Sequence, residues 1–202
     1  IKCPLVALDT TPGRETFRVV IQENVYFDFS ELQGNSIESD LSNRDFSLNA
    51  MAIPLKDFLE GKKNLIDPHN GKNDIKNKII RVLPDSAFLN DPLRILRAFR
   101  FMSVIGFKIE KNTLLKIKRL KTKINRVAPE RIFNELKILL SSKKSSASIL
   151  LMHNSGLLKC ITPTLYKNKT LLPSLEVLTH IENMLSDLKK IGIRPLTKIQ
   201  KI

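Results

Sequence analysis

The spacing of apolar residues changes near Pro84, and this change limits the possible folds more than any other feature of the chain. Before Pro84 the apolar residues form short segments bounded by turn formers, and we predict strands over 4–8, 17–21 and 25–29. After Pro84 they recur every three or four residues, as on the buried side of a helix. The chain is therefore predicted to be α+β, with short antiparallel strands first and mostly helices afterwards.

The helical part opens on a start signal, in which Asp91 is followed by Pro92. An acid is a preferred helix cap and Pro suits the first helical position, so we predict a helix from here that ends at Gly106. The same spacing predicts further helices over 113–117, from Pro129, over 147–153 and over 174–190.

Composition narrows the choice of partners. The 202 residues carry 34 Lys and Arg against 20 Asp and Glu, a net charge of +14. Such an excess attracts polyanions, which favours a nucleic acid or nucleotide partner over a basic surface that serves solubility alone. Cys3 and Cys160 form neither a disulfide framework nor a CxxC metal site, which favours a reducing, cytoplasmic compartment. The three His are isolated, with no second His or Cys at ligand spacing, which argues against zinc. The apolar runs are too short for a membrane span.

Residues 40–52 combine charged and apolar side chains and read Asp-Leu-Ser-Asn-Arg-Asp-Phe-Ser-Leu-Asn-Ala-Met-Ala. Arg44 and Asp45 are adjacent, but successive helical residues point about 100° apart, so the two need not pair with each other. Asp40 is predicted to cap a helical turn. From spacing alone, a helix start with a surface salt bridge is as good an interpretation as a binding site.

Residues 88–101 read Phe-Leu-Asn-Asp-Pro-Leu-Arg-Ile-Leu-Arg-Ala-Phe-Arg-Phe. On a helix, the side chains of Arg94, Arg97 and Arg100 fan over an arc of about 120°. Arg presents only donors and a carboxylate only acceptors, so Asp91 and Arg94 can together match the polar edge of a base without a nucleic acid template. From the residues alone, a helix cap followed by a basic face is the simpler interpretation.

In this order, the two segments resemble the bacterial-type (class II) tRNA CCA-adding enzymes and their relatives, the bacterial poly(A) polymerases. Asp-Leu-x-x-Arg-Asp-Phe-(Ser/Thr)-x-Asn-Ala is close to a signature of the nucleotidyltransferase head. The second segment resembles the family's Glu-Asp-x-x-Arg, in which Asp and Arg act as a protein template for C and A. Here Asn90 replaces the Glu that helps to hold the Arg. Residues 65–82 resemble the stretch from head to neck, and 126–136 resemble a neck segment. In that segment we expect Glu130, Arg131 and Glu135 to be scaffold or close to RNA, and not catalytic.

The resemblance also implies roles for particular residues. Arg44 and Asn49 would contact phosphate or ribose, Asp45 would orient the pocket, and Asp91 and Arg94 would read the base. The full nucleotide-binding set that it implies is Arg44, Asp45, Asn49, Asp91, Arg94 and Arg97.

Nucleotidyl transfer implies Mg²⁺ held by carboxylates, with CTP and ATP as substrates. In the family an Asp-x-Asp pair on a strand supplies these carboxylates, and no such pair occurs here at a strand position near Gly. Asp28 is the one strand acid left that can lie beside a metal, and a solvent-facing strand residue is an equal alternative. We expect the catalytic pair upstream of Ile1, in a longer enzyme of which this chain is a fragment rather than a degenerate homologue.

The prediction is thus a template-independent nucleotidyltransferase that adds CMP and AMP to the 3′ end of tRNA. A poly(A) polymerase of the same family and a non-catalytic basic RNA-binding fragment are the alternatives. We predict the latter part of a nucleotidyltransferase head at 1–84, a helical neck for base recognition and RNA binding at 85–145, and part of a helical body at 146–202.

Overall fold

The computed structural model describes residues 3–12, 15–83, 86–167 and 169–190, and at 188 and 189 the backbone alone. Pro84, where the apolar spacing changes, lies outside this part. Within it the fold is α+β, as predicted.

A small antiparallel sheet opens the chain, with strands β1 (Leu5–Asp9), β2 (Thr16–Gln22) and β3 (Val25–Ser30) in that spatial order. The three predicted strands are confirmed, with ends that differ by a residue. Cross-strand partners lie on the same face of a sheet. The pairs Thr16–Ser30 and Arg18–Asp28 therefore share one face.

Short elements follow the sheet: α1 (Ile37–Ser42), a 3-10 turn (Ser47–Asn49), α2 (Leu55–Leu59), α3 (Gly71–Lys76) and β4 (Ile79–Ile80). Main-chain hydrogen bonds hold the segment around the 3-10 turn. The N–H of Ser47 donates to the carbonyl of Arg81 at 3.0 Å, and the N–H of Leu83 donates to the carbonyl of Asp45 at 2.9 Å. Residues 45–49 are thereby attached to the chain that leads into the helices.

The rest of the described chain is mostly helical. Its elements are α4 (Ala87–Asn90), α5 (Leu93–Ile105), β5 (Lys108–Ile109), α6 (Lys111–Leu120), a 3-10 helix (Lys121–Arg126), α7 (Pro129–Leu140), α8 (Ser146–Ser155), α9 (Leu157–Ile161), α10 (Pro163–Lys167) and α11 (Leu171–Lys190). These bounds confirm the predicted helices. The helix predicted over 113–117 is longer, because lysines extend it beyond its apolar residues. Gly106 ends α5 with a φ of 73°.

Helix α5 forms the centre of the core, and α7 and α8 pack against it. The largest fully buried side chains include Phe46, Phe88 and Phe99, which come from three different segments of the chain. Strand β5 pairs with β4 in parallel, so the strand-rich and helical parts share a two-stranded sheet. No helix in the described ranges is long and apolar enough to cross a membrane.

A buried carboxylate joins the last helix to the start of α8. Glu182 of α11 is 6% exposed, and it accepts hydrogen bonds from the main-chain N–H and the hydroxyl of both Ser145 and Ser146. It thus satisfies donors at the N-terminal end of α8 that have no partner within that helix.

Candidate functional site

A cleft of about 1070 Å³ opens between the strand-rich part and the helical part. The ends of β2 and β3, the segment from α1 to the 3-10 turn, the start of α5 and the start of α7 line it. The six residues of the predicted nucleotide-binding set all lie on its surface: Arg44, Asp45, Asn49, Asp91, Arg94 and Arg97. The fold therefore brings together two segments that are about 40 residues apart in the sequence. The roles of these residues remain a prediction.

Asp40 anchors the first wall of the cleft. It is 1% exposed and accepts the main-chain N–H of Gln33 at 2.9 Å on Oδ1 and two N–H groups of Arg44 at 3.0 and 2.6 Å on Oδ2. The prediction that Asp40 caps a helix was wrong, because Ser36 caps α1 by accepting the N–H of Ser39. Asp40 instead lies inside the helix, and it holds Arg44, whose side chain stays 46% exposed.

Asp45 links this wall to α5. It is 5% exposed, its Oδ1 accepts the amide of Asn49 at 2.6 Å, and its Oδ2 accepts Nε of Arg97 at 2.6 Å. Because both oxygens are engaged, Asp45 positions Asn49 and Arg97 along the cleft.

The three arginines of α5 all have partners on other elements, and Arg97 and Arg100 share one of them, Glu135. Arg97 reaches Asp45, Arg100 pairs with the buried Glu135 of α7 at 2.6 Å, and Arg94 donates to the main-chain carbonyl of Asn43 at 3.1 Å. Much of the charge on this basic face is therefore engaged by partners within the protein. The local spacing could not reveal this, because the partners lie on other elements.

Asp91 lies just before α5 and faces the second wall of the cleft, which the start of α7 forms. Its Oδ1 accepts the N–H of Leu93, the first residue of α5, at 3.2 Å, whereas the residue at the N-cap position of α5 is Pro92. Its Oδ2 accepts Nη2 of Arg131 of α7 at 2.9 Å. Asn90 lines the cleft beside it, and Arg94 donates to the carbonyl of Asn43.

A polar network beneath the cleft supports the 3-10 turn. Asp74 is 2% exposed and accepts the hydroxyl of Ser47 at 2.5 Å and two N–H groups of Arg81 at 2.9 and 3.1 Å. Arg81 also pairs with Glu110, which accepts the hydroxyl of Thr113. Burial raises the pKa of the Asp74 carboxyl, but the hydrogen bonds from Arg81 and Ser47 outweigh burial and hold that pKa below its ordinary value.

Asp28 lies on the sheet, apart from the residues that line the cleft. Both of its oxygens accept hydrogen bonds from Arg18, at 2.7 and 2.8 Å, and these bonds hold the pKa of its carboxyl below the usual range. The guanidinium also stacks on the ring of Tyr26. Asp28 thus has the environment of an exposed ion pair, and its predicted place beside a metal stays a prediction.

Two protein-family models match the chain. The model of the poly(A) polymerase head domain covers residues 9–81, and the model described as the probable RNA- and SrmB-binding site of polymerase A covers residues 106–168.

Curated relatives include two enzymes of Halalkalibacterium halodurans. The CC-adding tRNA nucleotidyltransferase is 38% identical over 164 residues, which are 81% of this chain and 42% of the relative. The A-adding tRNA nucleotidyltransferase is 40% identical over 112 residues, which are 54% of this chain and 26% of the relative. The chain thus spans less than half the length of these relatives.

Several solved structures of similar fold were determined with a nucleotide or tRNA bound. A tRNA-processing enzyme with CTP has a TM-score of 0.76 and 28% identity, over 94% of this chain and 50% of that one. A CCA-adding enzyme with ATP has a TM-score of 0.72 and 29% identity, over 95% and 45%. The Thermotoga maritima CCA-adding enzyme complexed with tRNA has a TM-score of 0.71 and 30% identity, over 93% and 43%.

Proposed function

This chain belongs to the family of class II tRNA CCA-adding enzymes and bacterial poly(A) polymerases, and on that premise we propose that it serves in the template-independent addition of nucleotides to RNA 3′ ends. We propose CTP and ATP as the nucleotides and the 3′ end of tRNA as the acceptor. The observation that carries the proposal is the single cleft that both motifs line.

The first wall is suited to the sugar and phosphates of a nucleotide. Arg44 uses Nε and Nη2 to bind Asp40, and an arginine has five N–H donors, so further donors remain for an anion. Asn49 gives one amide hydrogen to Asp45, and its Oδ1 accepts the main-chain N–H of Phe46. Its second amide hydrogen remains for an oxygen of the sugar or phosphate. Asp45 holds Asn49 and Arg97 in place, which reduces the ordering that binding requires.

The start of α5 is suited to reading a base. Cytosine and adenine both present an amino donor beside a ring nitrogen that accepts. A carboxylate at Asp91 accepts from the amino group, and a guanidinium at Arg94 donates to the ring nitrogen. Uracil and guanine present a carbonyl oxygen and a ring N–H in these places. The same two side chains would then face groups of like polarity, which penalises these bases.

The Mg²⁺ ion that this chemistry implies finds no ligand set in the described ranges. There, no three or more His, Cys, Asp or Glu side chains lie together in a way that could hold a metal ion, and Asp28 gives both oxygens to Arg18. The residues do not fit the ion, and we assign none of them to it.

RNA is supported as the partner by exposed cations along the helical part. They are Lys108, Lys111, Lys118, Arg119, Lys137, Lys143 and Lys144. Phosphate contacts from such side chains supply most of the affinity for RNA and do not depend on its sequence. Since Cys3 and Cys160 are free thiols, we propose a cytoplasmic location.

Calorimetric titration of the 202-residue chain with the four nucleoside triphosphates tests this function. We expect CTP and ATP to bind more tightly than UTP and GTP. Asp91→Ala and Arg94→Ala should each weaken CTP and ATP binding, since each removes a charge-assisted hydrogen bond worth about 1.5–3 kcal/mol. Arg119→Ala, which removes an exposed arginine that does not line the cleft, is the control and should leave nucleotide affinity unchanged.

The same titration separates the alternatives. Binding of ATP without CTP would favour a poly(A) polymerase. Equal affinity for all four nucleotides would refute base reading by Asp91 and Arg94. If the chain also binds RNA, that result would favour the non-catalytic RNA-binding protein.

A further inference from the structure

Arginines on the cleft surface differ in whether a carboxylate neutralises them. Arg44 pairs with Asp40, Arg97 with Asp45 and Arg131 with Asp91. The two that remain are Arg94, which donates to the carbonyl of Asn43, and Arg126. In the described part of the chain Arg126 makes no ion pair or side-chain hydrogen bond. Its charge is therefore available to an anionic ligand in the cleft.

The local backbone explains where Arg126 points. It ends the 3-10 helix Lys121–Arg126, and residues three apart in a 3-10 helix lie above one another. Lys121 and Ile124 form the inner side of this helix, because Ile124 is fully buried and Nζ of Lys121 donates to the carbonyl of Ser155 at 3.0 Å. Lys123 and Arg126 share another side, and they form a basic ridge. Arg126 lies on the cleft surface, whereas Lys123 lies outside it.

We propose that this ridge, Lys123 and Arg126, binds backbone phosphates near the 3′ end of the RNA that receives the nucleotide. The inference rests on the proposed function. A nucleoside triphosphate bound by Arg44 and Asn49 on one wall and by Asp91 on another is contained within the cleft. Because Arg126 lines the cleft and Lys123 does not, a ligand that contacts both extends beyond the lining of the cleft, and a polynucleotide does this with a phosphate at each residue.

The test compares RNA and nucleotide binding for the same variants. Arg126→Gln and Lys123→Gln each remove one charge from the ridge, and Lys72→Gln removes one exposed charge of α3 that does not line the cleft. Fluorescence anisotropy follows binding of a labelled tRNA transcript that ends before CCA, at several salt concentrations, and calorimetry follows CTP. Circular dichroism checks that each variant is folded.

We expect Arg126→Gln to weaken tRNA binding about five- to ten-fold and to lower the slope of log affinity against log salt by about 0.7, as the loss of one phosphate contact on a single strand requires. CTP affinity should change by less than about two-fold, because the ridge does not take part in nucleotide binding. Lys123→Gln should have a smaller effect of the same kind, and Lys72→Gln should have none.

A second RNA, shortened by its unpaired 3′ nucleotides, locates the contact. The effect of Arg126→Gln should disappear with this RNA, and an undiminished effect would overturn the assignment to the 3′ end. A loss of CTP affinity with unchanged RNA affinity would overturn it as well, since Arg126 would then be a nucleotide ligand. If wild-type protein binds RNA but does not distinguish the nucleotides, the proposed function fails, while the RNA comparison still decides the role of Arg126.

Discussion

Gly71, the first residue of α3, lies where there is no room for a side chain. A Cβ atom at this position would come within 2.2 Å of the carbonyl oxygen of Ser47 and 3.0 Å of the Met51 side chain. Neither side can easily move. The N–H of Gly71 donates to Asp67 at 2.7 Å, and Ser47 is held by its main-chain bond to Arg81 and its hydroxyl bond to Asp74.

Packing and helix propensity predict opposite effects of the substitution Gly71→Ala on the stability of the protein. In a helix, Ala is favoured over Gly by up to about 1 kcal/mol, so propensity alone predicts stabilisation. A methyl group forced against main-chain atoms instead costs roughly 2–3 kcal/mol, because the backbone of residues 45–49 must shift. For a chain of this length we expect the melting temperature to fall by about 4–12 °C.

Differential scanning calorimetry and CTP titration provide the assay. Gly61→Ala is the control, because its Cβ meets nothing within 4 Å although its φ is 72°; strain there should cost about 1 kcal/mol. Because Ser47 lies between Asp45 and Asn49, Gly71→Ala should also weaken CTP binding, and Gly61→Ala should not. A Gly71→Ala protein as stable as the wild type, with unchanged CTP affinity, would refute the reasoning.

Two further predictions concern buried carboxylates. Glu182→Gln should lower the free energy of unfolding by about 2–4 kcal/mol, because hydrogen-bond donors of Ser145 and Ser146 lose their charged acceptor. Urea unfolding should show no such loss for Glu176→Gln, an exposed change on the same helix. Equal effects of the two substitutions would contradict the prediction. Since the pKa of Asp74 is lower in the folded protein than its ordinary value, its contribution to stability is present above about pH 4 and disappears as pH falls through the folded pKa. Asp74→Asn should therefore reduce stability at pH 7 and make the loss of stability between pH 5 and pH 2 shallower. Urea titrations at several pH values measure this, with the exposed Glu130→Gln as the control. A parallel loss of stability in the wild type and in Asp74→Asn would count against the prediction.

The strands and helices were predictable from the sequence because their signals involve residues only a few positions apart. The helix start at Asp91 is an example, since its carboxylate accepts the N–H of Leu93 two residues later. Local rules nevertheless misassigned Asp40. Ser36 and Asp40 are both good capping residues, and the choice between them depends on the burial of Asp40 beneath Gln33 and Arg44.

The partners of the cleft residues could not be predicted in this way. Asp45 and Arg97 are 52 positions apart, and Asp91 and Arg131 are 40 apart. These contacts depend on how the chain near Asp45, the start of α5 and α7 pack together, which no short sequence pattern records. The resemblance to a known family identified many of the residues that line the cleft. It did not reveal which arginines are paired within the protein and which remain available.

The bond that holds Arg94 has a consequence for how this protein can tolerate mutation. A side-chain acceptor is lost when its codon changes, whereas every amino acid carries a peptide carbonyl. Because Arg94 donates to the main chain of Asn43, neither position 43 nor position 90 has to encode a particular acceptor for the guanidinium to be held. A substitution at position 90 therefore leaves this acceptor of Arg94 unchanged.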